Sequence, residues 1–191
     1  QFPKLLTATL SNGAKVVLAQ RTDVPLVEMN FQFNFGYAQE DNDELGYTNF
    51  MMSMLNEGTK KYSSLKFDEV LDSLGSRLSF GSGLDSSVAS LSALKANLSK
   101  TLDLTKEALI YPIFPEEEIE RIKKQTLAGI IQEENRPASI AYRNIGKLLY
   151  GEDHPYGKPL TGSGISETIS SITRENILDV HSRAINSAHL T

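Results

Sequence analysis

Hydrophobic and polar positions alternate most cleanly between residues 27 and 35. Val27, Met29, Phe31, Phe33 and Phe35 interleave with Glu28, Asn30, Gln32 and Asn34. A period of two over that stretch predicts a strand with one buried and one polar face, ended by Gly36. Upstream, residues 7–10 and 15–18 flank Asn12-Gly13, the strongest short hairpin signal. Helical spacing follows. Phe50, Met51, Met54 and Leu55 predict a helix over 46–56. Phe67, Val70, Leu71 and Leu74 predict another over 65–74, with Gly75 as its C-cap. Residues 77–95 read as two strands around Gly81-Ser82-Gly83, the second alternating Ala89, Leu91 and Ala93 against Ser90 and Ser92.

The second half is helical. Asn97 is placed to N-cap a helix running to about residue 110. Pro115 fits the opening of the next, with Glu116, Glu117 and Glu118 at its positive end and Lys123 and Lys124 later. Its apolar stripe is Ile119, Ile122 and Ile130, with Leu127 and Ile131 beside it. Pro137 opens a third helix over 139–150. A Gly/Pro-rich loop spans 151–164, and Thr173 caps a last helix to about residue 185. Residues 187–191 read as the start of a strand. Strands, helices, strands, helices is neither a βαβ repeat nor an all-β order. It predicts an α+β fold, a mainly antiparallel sheet with helices packed on one face. With no internal repeat and no low-complexity linker, residues 1–191 read as a single domain.

Composition narrows the class. The chain has 191 residues, 40% hydrophobic and 23% charged, which is ordinary globular usage. A chain of that length buries about 70% of its unfolded surface, so it needs no metal or disulfide to stay folded. The formal charge is −5 and no Lys/Arg cluster stands out, so nucleic acid is not the expected partner. The absence of cysteine excludes a disulfide framework, a thiolate nucleophile and Cys-ligated metal. No apolar run approaches the 20 or so residues that cross a bilayer. Gln1-Phe2-Pro3-Lys4 opens directly onto turn and strand patterns, without a signal peptide, and is expected to be the start of a processed or excised piece.

Side-chain chemistry names no active site. His154, His181 and His189 lack a second His or a carboxylate at metal-site spacing. His154 is expected to stabilise a loop, and the other two to occupy surface or interface positions. No Gly-x-Ser-x-Gly elbow, Walker loop or dinucleotide fingerprint is present. Gly162-Ser163-Gly164 and Gly81-Ser82-Gly83 are explained by turn chemistry. Glu133 and Glu134 are adjacent on a helix and point to different sides, so they form no acid/base pair. A solvated face is expected for them, and a solvated loop for the acidic residues 40–44, with contact to a basic partner as the alternative.

One segment carries more. Gly46-Tyr47-Thr48-Asn49-Phe50-Met51-Met52-Ser53-Met54-Leu55-Asn56-Glu57-Gly58-Thr59 resembles the helix bearing the inverted zinc motif, H-x-x-E-H, of the insulinase/pitrilysin family of zinc metallopeptidases. The Gly, the Met, the Gly-Thr and their spacings match. Leu10-Ser11-Asn12-Gly13, Phe35-Gly36-Tyr37-Ala38, Leu148-Leu149-Tyr150-Gly151, His154-Pro155-Tyr156-Gly157 and Thr173-Arg174-Glu175-Asn176 resemble further landmarks of the family, in order along essentially the whole chain.

The resemblance implies a zinc site at four positions, and all four are substituted. Asn49 and Ser53 stand where the two His ligands belong, and Met52 where the general base belongs. Counting about 76 residues on from Ser53 to the distal Glu ligand reaches Gly129. Asn and Ser are weak neutral ligands, Met favours soft metals and takes no proton, and Gly has no side chain. No catalytic and no metal-binding residue is therefore expected in this chain, nor any cofactor of its own.

As the resemblance has it, family members are clamshells of paired α+β domains around a peptide chamber, and zinc-free domains shape the chamber. The expected function is that of a non-catalytic domain of a zinc metalloendopeptidase, itself inactive and part of a longer multi-domain chain. Its partners would be an active zinc-bearing domain or subunit of the same family and a peptide substrate. Zinc is expected in that partner. A stand-alone binding or scaffold module on the same fold is the alternative. The family's bacterial two-half members imply an exported, periplasmic setting, with the cytoplasm left open. Residues 78–80 are a candidate edge for peptide addition, against pairing within the domain.

Overall fold

The computed structural model describes residues 4–21 and 23–185. Hairpin β1 (Leu5–Thr9) and β2 (Lys15–Ala19) pairs antiparallel from Thr9↔Lys15 to Leu5↔Ala19. Asn12 turns it by accepting from the Ala14 amide at 3.2 Å. This hairpin forms its own two-stranded sheet. The main sheet holds β3 (Leu26–Phe33), β4 (Arg77–Ser82) and β5 (Ser87–Leu94) in the order β3-β5-β4, both pairings antiparallel.

Register gives the sheet two faces. Met29, Leu91 and Leu78 align across it, as do Phe31, Ala89 and Phe80. Glu28, Asn30, Ser79, Ser90 and Ser92 line the opposite face, where Ser90 donates to Asn30 at 2.7 Å. The helices are α1 (Tyr47–Ser53), α2 (Ser64–Ser73), α3 (Leu98–Ile110), α4 (Glu116–Glu134), α5 (Pro137–Tyr150), α6 (Ser166–Ser171) and α7 (Arg174–Ala184). The fold is thus helices with an antiparallel sheet.

The core is built around α1. Phe50, Met51, Met52, Met54 and Leu55 are buried with Phe33, Ala89, Phe114, Ile119, Ile130, Ile169 and Ile177. Each large apolar side chain removed from water contributes about 1.5–3 kcal/mol, so a seven-residue helix of low intrinsic stability is held by packing. A second cluster, Phe67, Leu104 and Ala108, joins α2 and α3 to β4.

Several boundaries differ from expectation. β3 ends at Phe33, two residues early, because Phe35 turns its amide back to the Phe33 carbonyl. β4 runs through Gly81 and Ser82, and the turn begins at Gly83. The first helix stops at Ser53 instead of residue 56. α6 was not expected; six residues are too few to show a helical period. Asn97 sits at the N-cap of α3, but its side chain donates to the Leu74 carbonyl at 2.8 Å instead of capping. Ile131 is exposed although Ile130 beside it is fully buried. The Thr173 cap is present, its hydroxyl accepting from the Asn176 amide. The strand expected at 187–191, and His189 within it, lie outside the described residues.

Candidate functional site

Helix α1 sits against β4, α4 and α7. On it, Asn49 is half-buried, Met52 is fully buried and Ser53 is exposed. The Asn49 amide nitrogen donates to the Gly162 carbonyl at 3.1 Å, and its oxygen accepts from the Ser82 amide at 3.0 Å. The Ser53 hydroxyl donates back to the Phe50 carbonyl at 2.7 Å. Gly129 lies on α4, with open space where a Cβ would be. β4 is an edge strand bonded to β5, and its other flank is met by Asn49 at Ser82.

The start of α1 is capped from the acidic loop. Glu40 is buried, and its carboxylate accepts from the Gly46 amide at 2.8 Å and the Thr48 amide at 2.7 Å. That satisfies two of the amide groups a helix start leaves free. Burial pushes the Glu40 carboxyl up from the ordinary carboxylate range; the two amide bonds and the Lys158 charge pull it partway back. The expected solvated loop is therefore incorrect at both ends, since Glu44 pairs with Arg183 at 2.7 and 2.9 Å.

Residues 158–164 form a strap across this helix start. Lys158 donates to the Ala38 and Glu40 carbonyls, and burial lowers its pKa. Tyr37 donates to the Leu160 carbonyl at 2.9 Å. Gly46 takes φ +92° and packs so closely that a Cβ would lie 2.7 Å from the Gly164 Cα, which is why no larger residue fits.

Arg143 anchors the strap from α5. It is 8% exposed and donates to Glu133 at 2.6 Å, to the Ser163 hydroxyl at 2.8 Å and to the Gly164 carbonyl at 2.8 Å. Ser163 donates to the same Glu133 carboxylate at 2.7 Å. Glu133 is thus part of a buried-edge ion pair and not of a solvated face; Glu134 is the exposed one. The sequence carried no signal for this, because the fork of Arg143 is matched by residues from another helix and a loop. His154 stabilises its loop as expected, its Nδ1 accepting from the Tyr156 amide at 3.0 Å. His181 is more interior than expected. Its Nε2 meets the Leu109 carbonyl at 2.8 Å, its ring packs edge-on to Phe114, and burial lowers its pKa.

These residues do not fit zinc. Both polar atoms of Asn49 are engaged, the Ser53 proton is directed at a carbonyl, and among the described residues no group of three His, Asp or Glu could hold a metal ion.

The model of the insulinase family of peptidases, family M16, matches residues 15–163. The chain belongs to the M16 family. An uncharacterized zinc protease of Rickettsia felis is 27% identical over 95% of this chain and 43% of its own. The non-peptidase homolog YmxG of Helicobacter pylori is 25% identical over 90% of this chain and 40% of its own. The crystal structure of a peptidase M16 inactive domain from Pseudomonas fluorescens superposes with a TM-score of 0.92 at 28% identity, over 98% of this chain and 45% of that one. The M16 chain described here therefore spans less than half the length of these relatives. No helix among the described residues is long and apolar enough to cross a membrane.

Proposed function

We propose that this M16 domain is a zinc-free part of a zinc protease-like protein, shaping a peptide chamber and pairing with a zinc-bearing half. The supporting observation is Asn49. At the position the family resemblance assigns to the first ligand, both side-chain polar atoms serve structure, bonding the strap and the edge of β4. Met52, Ser53 and Gly129 complete a set with no imidazole and no carboxylate. The domain thus keeps the scaffold and contributes shape and not chemistry.

Zinc content by mass spectrometry and peptide cleavage with and without chelator test the reading, on this chain and on its full-length parent. The chain alone is expected to hold no stoichiometric zinc and to cleave nothing; the parent, or its partner subunit, is expected to do both. Chelator-sensitive cleavage by this chain would refute the assignment. A zinc-free parent would favour the scaffold module, a reading supported by the non-peptidase name of the Helicobacter relative.

A further inference from the structure

Helix α5 is turned the wrong way for a surface helix. Its buried residues are Arg143 and Gly146. Its exposed residues include Ile140, Ile145, Leu148 and Leu149, the last two 81% and 68% exposed. At about 100° per residue, Ile145, Leu148 and Leu149 fall within an arc of about 100°, on the side of the helix away from Arg143. The polar face is fixed inward by the Glu133–Arg143–Ser163 bonds, so the helix cannot roll to hide its aliphatic side. Tyr150, the last residue of α5, lies on the Arg143 side instead, stacked on His154 with ring centres 5.1 Å apart, and is not part of this aliphatic face.

We infer that this face of α5 is the seat of the other half of the parent polypeptide, met by an aliphatic and aromatic surface of that half. Two observations choose this occupant. The relatives are single chains of which this one spans 43–45%, so more than half of a polypeptide of that length remains to be packed. A 14-residue helix is about 21 Å long, and one face of it supplies a few hundred Å². That is below the roughly 800 Å² per partner of free-standing complexes. A tethered partner, present at high effective concentration, needs no such area. A second, untethered copy does. The inference rests on the proposed function only in taking the chain as one part of a longer protein; it does not depend on zinc or on peptide binding.

The test uses the full-length parent polypeptide. A photo-crosslinking benzoylphenylalanine replaces Leu148 in one variant and Leu65 on α2, also exposed at 72%, in another. After irradiation, crosslinked peptides are identified by mass spectrometry. The probe at 148 is expected to join residues of the same polypeptide outside 1–191, at least tenfold more than the probe at 65. Crosslinks between two copies, to a separate subunit, only within 1–191, or none above the Leu65 level would each overturn the inference. Loss of zinc or peptidase activity in the parent would sink the chamber reading and leave this result standing.

Discussion

The side-chain nitrogen of Asn49 donates to the carbonyl of Gly162 at 3.1 Å, across 113 residues of sequence. The approach requires Gly162 itself: its φ is +68°, and a Cβ there would collide with the Asn49 nitrogen and lie 2.8 Å from the Tyr37 ring. Asn49→Ala is expected to cost about 1–3 kcal/mol by leaving the Ser82 amide and the Gly162 carbonyl without partners. Asn49→Asp should cost more, because it sets a carboxylate against a carbonyl. Gly162→Ala should destabilise by a similar amount through strain. Urea unfolding of the three variants checks the order. An Asn49→Ala protein as stable as the parent would mean that the bridge contributes nothing.

Arg143 distributes its fork over a carboxylate, a hydroxyl and a carbonyl drawn from α4 and the strap. Removing one member leaves Glu133 half-buried without its cation. Arg143→Met is expected to lower stability by about 3 kcal/mol, the lower end for breaking a buried pair. Arg143→Lys should recover less than half of that, since an ammonium cannot span the three acceptors. Hydrogen exchange of the 158–164 amides should rise in both variants. Protection unchanged in Arg143→Met would show that the strap is held by other means.

How much of this was legible beforehand depended on whether a local period carried it. The alternation through Phe31 and Phe33, the Ile119/Ile122/Ile130 stripe and the Thr173 cap are each written within a few adjacent residues, and each appears in the fold. Glu40 is the opposite case. It begins a run with Asp41, Asp43 and Glu44 that reads as solvated, and only the arrival of the Gly46 and Thr48 amides explains its burial. Arg143 was hidden for the same reason, being one charged residue in a helix whose apolar side faces outward. The family resemblance singles out Asn49 through the spacing of Gly46, Met54 and Gly58-Thr59 around it, yet spacing could not foretell that its side chain would hold a strap.

His181 predicts a pH dependence. Burial lowers its pKa below the ordinary 6.5, against the pull of the Leu109 carbonyl. The unfolded chain then binds the proton more readily than the folded one. Its contribution to stability is complete above pH 6.5 and is lost as the pH falls through the folded-state value. His181→Phe should flatten the melting temperature between about pH 5 and 6.5, the range in which an unperturbed His gains its charge. Thermal melts across that range decide the matter, and an unchanged slope in the variant would assign the dependence to the carboxylates.

Two helical glycines should respond oppositely to the same substitution. In a helix interior Ala is favoured over Gly by about 0.8–1.0 kcal/mol. At Gly129 on α4 a Cβ meets nothing within 4 Å, so Gly129→Ala is expected to stabilise by close to that full amount. At Gly146 on α5 a Cβ would collide with the Tyr156 carbonyl and sit 3.1 Å from that of Lys158. Relief would require α5 to move away from the 155–158 turn that packs on it, so Gly146→Ala is expected to destabilise by about 1–3 kcal/mol. Denaturant midpoints of the two variants, measured side by side, separate propensity from packing. Destabilisation at Gly129 would place an unseen neighbour over α4 and contradict the open space around that position.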